Sequence, residues 1–256
     1  MKRTVALVTG AAGGIGEAVV RLLAEREVAV AAVDLDSARL TRAVDKLVAD
    51  GLPVTAYPAD VTSSHEVARL VHEVESELGA IIHLVNAAGV LRMGEARTLT
   101  DEDWAATFAV NASGVFFVSR AVANRMAPRG SGAIVTVASN AAGTARTEMA
   151  AYAASKAAAT AFTKCLGLEL ARHNIRCNVV APGSTDTLML HGMHSARTAV
   201  AVSVAGTPEA YRVGIPLGKV AQPEDVAQAV AFLLSEEAGH ITLHSLTVDG
   251  GATLGV

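Results

Sequence analysis

Tyr152 and Lys156 stand four residues apart in the stretch Tyr152-Ala153-Ala154-Ser155-Lys156, so a helix there puts both on one face. An ammonium held beside a phenol favours the phenolate, which suits the pair to taking a proton near neutral pH. The same spacing is common on solvated helix faces, and the pair gains meaning from what precedes it. Ser139 ends an apolar run thirteen residues before Tyr152, where its hydroxyl could hydrogen-bond a reacting oxygen. A second chemistry is written at the start of the chain. In Thr9-Gly10-Ala11-Ala12-Gly13-Gly14-Ile15-Gly16, Gly10, Gly14 and Gly16 keep a G-x-x-x-G-x-G spacing. Glycines at a strand-to-helix turn let backbone N–H groups approach a pyrophosphate at a helix N-terminus. Asp34 closes the next apolar run; a carboxylate there accepts from the adenosine ribose hydroxyls and repels a 2′-phosphate. Neither Ala12 nor Leu35 supplies a positive charge for such a phosphate, so NAD is expected rather than NADP. A plain tight turn and a loop or helix-cap aspartate are the rival readings, and the strand–turn–helix context outweighs them.

The elements that must position these residues alternate along the chain. Strand-like runs fall at 5–8, 28–33, 54–57, 81–85, 133–137, 177–181 and 246–248, several of them apolar without alternation, as strands covered on both faces require. Helix-length stretches at 15–26, 37–49, 64–78, 101–126, 152–173 and 224–234 lie between them. Asp36, Ser63 and Pro223 mark helix starts, and Gly51 and Gly79 mark ends. This rhythm predicts an α/β fold: one Rossmann-type, doubly wound parallel sheet of about seven strands flanked by helices. The 256 residues are expected to form a single domain. Residues 188–217 break the rhythm and are expected to form a lid over the carboxyl edge of the sheet, where such folds bind ligands.

Composition narrows the function classes. Apolar residues make up 51%, charged ones 18% and aromatics 4%, with a formal charge of −4. That excludes a disordered chain and leaves no basic footprint for nucleic acid. No uninterrupted apolar run reaches the roughly 20 residues of a membrane span. Cys165 and Cys177 have no metal-ligand spacing, so a reduced, cytoplasmic setting is expected. His191 and His194 form H-x-x-H, but no third ligand is evident and no metal is expected.

Taken in order, the Thr9–Gly16 turn, Asn86-Ala87-Ala88-Gly89, Asn111, Ser139, Tyr152 with Lys156, and Pro182-Gly183 resemble the short-chain dehydrogenase/reductase family over essentially the whole chain. The resemblance implies roles. Tyr152 is the acid/base; Lys156 lowers its pKa and holds the nicotinamide ribose. Ser139 binds the reacting oxygen, and Asn111 positions a water that relays protons. Asp60 and Val61 fit the adenine edge, and Asn86, Ala87 and Gly89 the adenosine wall. Ile15 belongs with the glycine turn, and Pro182, Gly183, Thr185 and Thr187 with the nicotinamide carboxamide. Homotetramers are implied as well, with long helices 101–126 and 152–173 forming a dimer interface and the tail 248–255 meeting another subunit. Leu91-Arg92-Met93-Gly94, Gly183-Ser184-Thr185-Asp186-Thr187 and the Thr253-Leu254-Gly255 ending are similar to the branch of that family whose substrate is a carboxylated cyclohexadiene alcohol. Such a small-molecule carboxylate needs a cation near the reacting carbon. Arg146, between Ser139 and Tyr152, and Arg92, after the Asn86–Gly89 run, are the candidates. Met93 and Met189 are expected to touch the ring. The group at ring position C2, hydroxyl or amino, stays open. A non-catalytic NAD-binding regulator could dispense with Asn111, Ser139, Tyr152 or Lys156, and all four are present.

Overall fold

The structure is a computed structural model that describes residues 4–193 and 199–255. Seven strands run in chain order: β1 (Val5–Thr9), β2 (Ala29–Asp34), β3 (Val54–Pro58), β4 (Ile81–Asn86), β5 (Gly132–Val137), β6 (Ile175–Pro182) and β7 (Ser245–Val248). Between them lie α1 (Gly14–Glu25), α2 (Ser37–Ala49), α3 (Ser64–Glu77), α4 (Asp101–Phe108), α5 (Val115–Met126), α6 (Ala150–Leu170), α7 (Leu188–Met193), α8 (Ala199–Ala205) and α9 (Pro223–Leu234). The sheet has the order β3-β2-β1-β4-β5-β6-β7, every pair parallel. The expected doubly wound α/β fold is therefore present. Strand order reverses between β1 and β4, and the crevice outside their carboxyl ends is where such sheets take ligands.

Burial follows from the apolar strands. All five residues of β1 are buried, as a strand covered on both faces must be. One core layer packs α1, α2 and α9 on the sheet through Val19, Leu40 and Val230. The other packs α3 and α5 through Leu70, Val74 and Val122. The expected caps are in place: Asp36 accepts from the Arg39 N–H and Ser63 from the Glu66 N–H. Pro223 opens α9, where its missing N–H costs nothing.

Two helices depart from expectation. The predicted helix 101–126 is two α-helices joined by a π-helical turn, Ala109–Gly114, that contains Asn111. The predicted helix 152–173 starts at Ala150 and ends as a 3-10 turn, Ala171–His173. By length and composition the continuous helical run Asp101–Arg129 could cross a bilayer, but Asn111 at its middle is fully buried against the rest of the protein. The irregular segment carries α7 and α8, which share a small core of Leu190, Ala199, Ile215 and Val220. His194 lies outside the described residues.

Candidate active site

The turn after β1 is built by the absence of side chains. Gly10 has a φ of +69°, and a Cβ there would lie 2.6 Å from the backbone nitrogen of Ala88. A Cβ on Gly16 would meet the Gly10 carbonyl oxygen at 2.0 Å. The first turn of α1 can therefore fold back on β1 only with glycine at both positions. Thr9 completes the joint, its hydroxyl oxygen accepting from the N–H groups of Ala87 and Ala88. The glycine turn and the residues after β4 are in this way one unit, and α1 opens its N-terminus to a cleft of about 460 Å³. Gly14, Ile15 and Gly16 line its α1 end, Asp34 and Arg39 one flank, and Asp60, Val61, Ala87 and Gly89 further walls.

Asp34 lies at the end of β2, its two carboxylate oxygens accepting from the backbone N–H groups of Ala12 and Asp36. Asp60 is held by Thr62, whose N–H and hydroxyl both donate to it. Asn86 is placed differently from the expectation of a cleft wall. Its side chain is buried and donates to the hydroxyls of Ser119 and Thr136, so it braces β4 while Ala87 and Gly89 form the wall. Arg39 is a cation at the Asp34 end that sequence reasoning missed.

A second cavity of about 150 Å³ adjoins the first. Ile15, Ala87, Gly89, Thr187 and Met189 line both. Ser139, Tyr152 and Lys156 stand on its floor, with Pro182, Gly183 and Thr185 from the end of β6 and Arg146 from the loop before α6. The cleft's glycine-rich end, its carboxylate and its continuity with the Tyr152 cavity fit an extended dinucleotide. A Cβ at Gly89 would sit 3.2 Å from the Lys156 Nζ, so the glycine leaves room beside the ammonium that a ribose could fill.

Each catalytic candidate is held by an identifiable contact. Ser139 Oγ accepts from the Ala141 N–H, and its side chain is hydrogen-bonded to Tyr152, so the serine and tyrosine oxygens meet in the cavity. Tyr152 and Lys156 are 8% and 4% exposed. Lys156 Nζ lies 5.9 Å from the Tyr152 ring centre and donates to the Val137 carbonyl at 2.9 Å. Burial pushes the lysine down to about 8 from 10.5, so it keeps its proton at neutral pH. Burial also raises the Tyr152 phenol, and Ser139 beside it pulls the other way. In the protein alone burial therefore dominates the tyrosine, because desolvation penalises the phenolate, and the lowering expected from Lys156 is not among the causes of its shift.

Asn111 uses its carboxamide to clamp the chain after β4. Oδ1 accepts from the Val90 N–H at 2.9 Å, and Nδ2 donates to the Val90 carbonyl at 2.9 Å and to Ser155 Oγ at 3.0 Å. Arg92 and Met93 are not brought to the cavity. The Arg92 side chain runs outward to Asp103 at 3.7 Å, and Met93 is exposed; Leu91 lines the cavity instead. Among residues the sequence did not single out, Met149, Leu190 and Arg212 also line it. His191 pairs with Asp186 at 2.8 Å, and among the described residues no group of three metal-ligating side chains occurs.

Residues 10–253 match the family described as Enoyl-(Acyl carrier protein) reductase. The chain is 54% identical to 2,3-dihydro-2,3-dihydroxybenzoate dehydrogenase of Bacillus subtilis (strain 168), over 98% of this chain and 97% of that protein. It is 41% identical to the vibriobactin-specific 2,3-dihydro-2,3-dihydroxybenzoate dehydrogenase of Vibrio cholerae, over 97% and 95%. A crystal structure of a short-chain type dehydrogenase/reductase from Mycobacterium marinum superposes with a TM-score of 0.89 at 30% identity, covering 98% of this chain and 95% of that one.

Proposed function

The chain belongs to the short-chain dehydrogenase/reductase family, and on that premise we propose that it oxidises the C3 alcohol of 2,3-dihydro-2,3-dihydroxybenzoate with NAD, giving aromatic 2,3-dihydroxybenzoate for a catechol siderophore. The observation that carries this reading is the full-length similarity to two dehydrogenases of that name, together with an arginine, Arg146, on the wall of the cavity that holds Ser139 and Tyr152.

In this mechanism Ser139 turns its hydroxyl proton from Tyr152 to the C3 oxygen and fixes that oxygen beside the phenol. The Tyr152 phenolate takes the C3 hydroxyl proton. Lys156 is assigned to supply positive charge for that phenolate in a buried site, and its two remaining N–H groups are assigned to the nicotinamide ribose beside Gly89. Bound in the cleft, NAD supplies the acceptor for the hydride that leaves C3. The resulting ring ketone tautomerises to the catechol, and aromatisation pulls the oxidation forward. With its carboxamide engaged by Val90 and Ser155, Asn111 is left its backbone in the π-helical turn as the contact for a water that carries the proton onward.

NAD rather than NADP is supported by Asp34, whose carboxylate stands where the adenosine ribose would lie. Pro182, Gly183, Thr185 and Thr187 are assigned to the nicotinamide end, Asp60 and Val61 to the adenine end, and Met189 to the ring. Residues 188–217 are assigned as a lid, supported by the separate small core of α7 and α8. A cytoplasmic homotetramer completes the reading; its support is the apolar surface left on the long helices, where Trp104, Phe116 and Leu168 are exposed. The test is NADH formation from NAD and the dihydrodiol, run beside trans-2,3-dihydro-3-hydroxyanthranilate, the amino analogue.

A further inference from the structure

Arg146 is not alone on the wall of the catalytic cavity. Arg212, from the segment after α8, lines it as well. Its backbone is fixed: the Thr207 N–H donates to the Arg212 carbonyl and the Arg212 N–H to the Thr207 carbonyl, across a turn closed by Tyr211 in the left-handed region (φ 56°). Gly206 and Gly214 lock the two ends together. A Cβ on Gly206 would lie 2.5 Å from the Gly214 nitrogen, and one on Gly214 would lie 2.4 Å from the Val204 carbonyl oxygen. The arginine therefore stands on a closed loop rather than a loose tip.

Arg146 and Arg212 are both half-buried and close enough to repel. Burial and then the Arg212 charge hold Arg146 below its usual range, while Asp249 acts in the opposite sense. Among the described residues neither arginine has a carboxylate within ion-pair distance. The nearby acid, Asp249, is already bound by Asn140, Gly251 and Thr253. Two like charges facing one desolvated cavity are costly unless an anion joins them. Apart from the Lys156 ammonium on the floor, the two arginines set against Asp249 leave one positive charge on this wall, which a single carboxylate neutralises.

We propose that Arg212 and Arg146 together form a two-arginine clamp for the substrate carboxylate, with Arg212 as its second, specificity-determining half. The inference rests on the carboxylate-substrate reading above. The substrate's own charge then ties the loop before α6 to the segment after α8, and the choice between carboxylated and neutral diols resides in this pair.

Arg212→Met, Arg212→Lys and Arg146→Met test it. At saturating NAD, Arg212→Met should raise KM for the dihydrodiol roughly ten- to hundredfold with kcat changed only a few-fold, as expected for a lost charge-assisted contact. Calorimetry should show that the wild-type preference for 2,3-dihydroxybenzoate over catechol collapses in Arg212→Met and partly returns in Arg212→Lys. The melting temperature without ligand should stay level or rise, because a repulsion is removed; a structural arginine would lower it. An unchanged preference, or a ligand-free melting temperature lowered together with NAD affinity, would overturn the clamp. If the wild type itself does not oxidise the dihydrodiol, the functional reading fails first. Benzoate binding then decides the clamp alone: binding by the wild type that both single methionine variants lose supports it, and binding that Arg212→Met retains refutes it.

Discussion

The Lys156 ammonium is bonded to the Val137 carbonyl at 2.9 Å, two residues before Ser139 on the same strand end. That contact pins α6 to β5 and so fixes the serine relative to Tyr152, one helical turn before the lysine. Acid/base and oxygen-holding groups come from different elements, and one buried hydrogen bond sets their spacing.

Replacing Tyr152 with Phe removes the proton acceptor while keeping the ring that packs in the cavity. Turnover should fall roughly a thousandfold, within the range of general acid–base catalysis, with NAD affinity measured by fluorescence titration nearly unchanged. Ser139→Ala should cost roughly ten- to hundredfold in kcat, the worth of one hydrogen bond to a charge-bearing oxygen.

Lys156 has a folded-state pKa of about 8, against 10.5 for a lysine in water. Between those values the unfolded chain holds more protons, so wild-type stability should rise with pH from about 8 to 10.5. Below pH 8 the burial cost is present in full, on the order of 3 kcal/mol. Lys156→Met should therefore be relatively more stable than wild type at pH 7, with the advantage shrinking towards pH 10.5. Denaturant melts at several pH values read this directly, and a constant difference would contradict it.

Asp34 and Arg39 flank the same end of the cleft, so cofactor preference should turn on one substitution. Asp34→Ser removes the repulsion of a 2′-phosphate and leaves Arg39 to meet it. The ratio of kcat/KM for NAD over NADP should fall by at least tenfold, and adding Arg39→Ala should reverse part of the gain for NADP. Steady-state kinetics with both cofactors measures it.

His83 lies in β4 with its Nδ1 buried and, among the described residues, without a hydrogen-bond partner. Burial, aided by the Arg176 charge, pushes it down to about 4 from 6.5. As pH falls the unfolded chain takes up this proton first, so stability should drop between pH 6.5 and 4. His83→Leu should flatten that part of the stability curve in chemical denaturation.

What could be read from the chain were the places where residue type is itself the constraint. Gly10 and Gly16 announce the nucleotide turn because any Cβ would strike backbone, and Tyr152 with Lys156 stands out only in combination with Ser139 thirteen residues earlier. The Asn111 helix was legible as helix, but not its π-helical turn, which depends on the clamp to Val90 and Ser155 from elsewhere in the chain. Arg146 is favoured over Arg92 by its place between Ser139 and Tyr152, and the fold sends Arg92 outward to Asp103 while Arg146 lines the cavity. Arg39 sits in the first turn of α2, where its charged neighbours are solvated, so its place beside Asp34 follows from how α2 packs on the sheet through Leu40. Arg212 lies in a stretch without periodicity, and the glycine lock that presents it is a tertiary contact.

Purified protein given NAD and 2,3-dihydro-2,3-dihydroxybenzoate should form NADH rapidly and release 2,3-dihydroxybenzoate, with much slower turnover of trans-2,3-dihydro-3-hydroxyanthranilate. Preference for the amino compound would keep the fold and the Tyr152–Lys156 chemistry but contradict the assigned substrate, and no oxidation of either diene despite NAD binding would contradict the account as a whole.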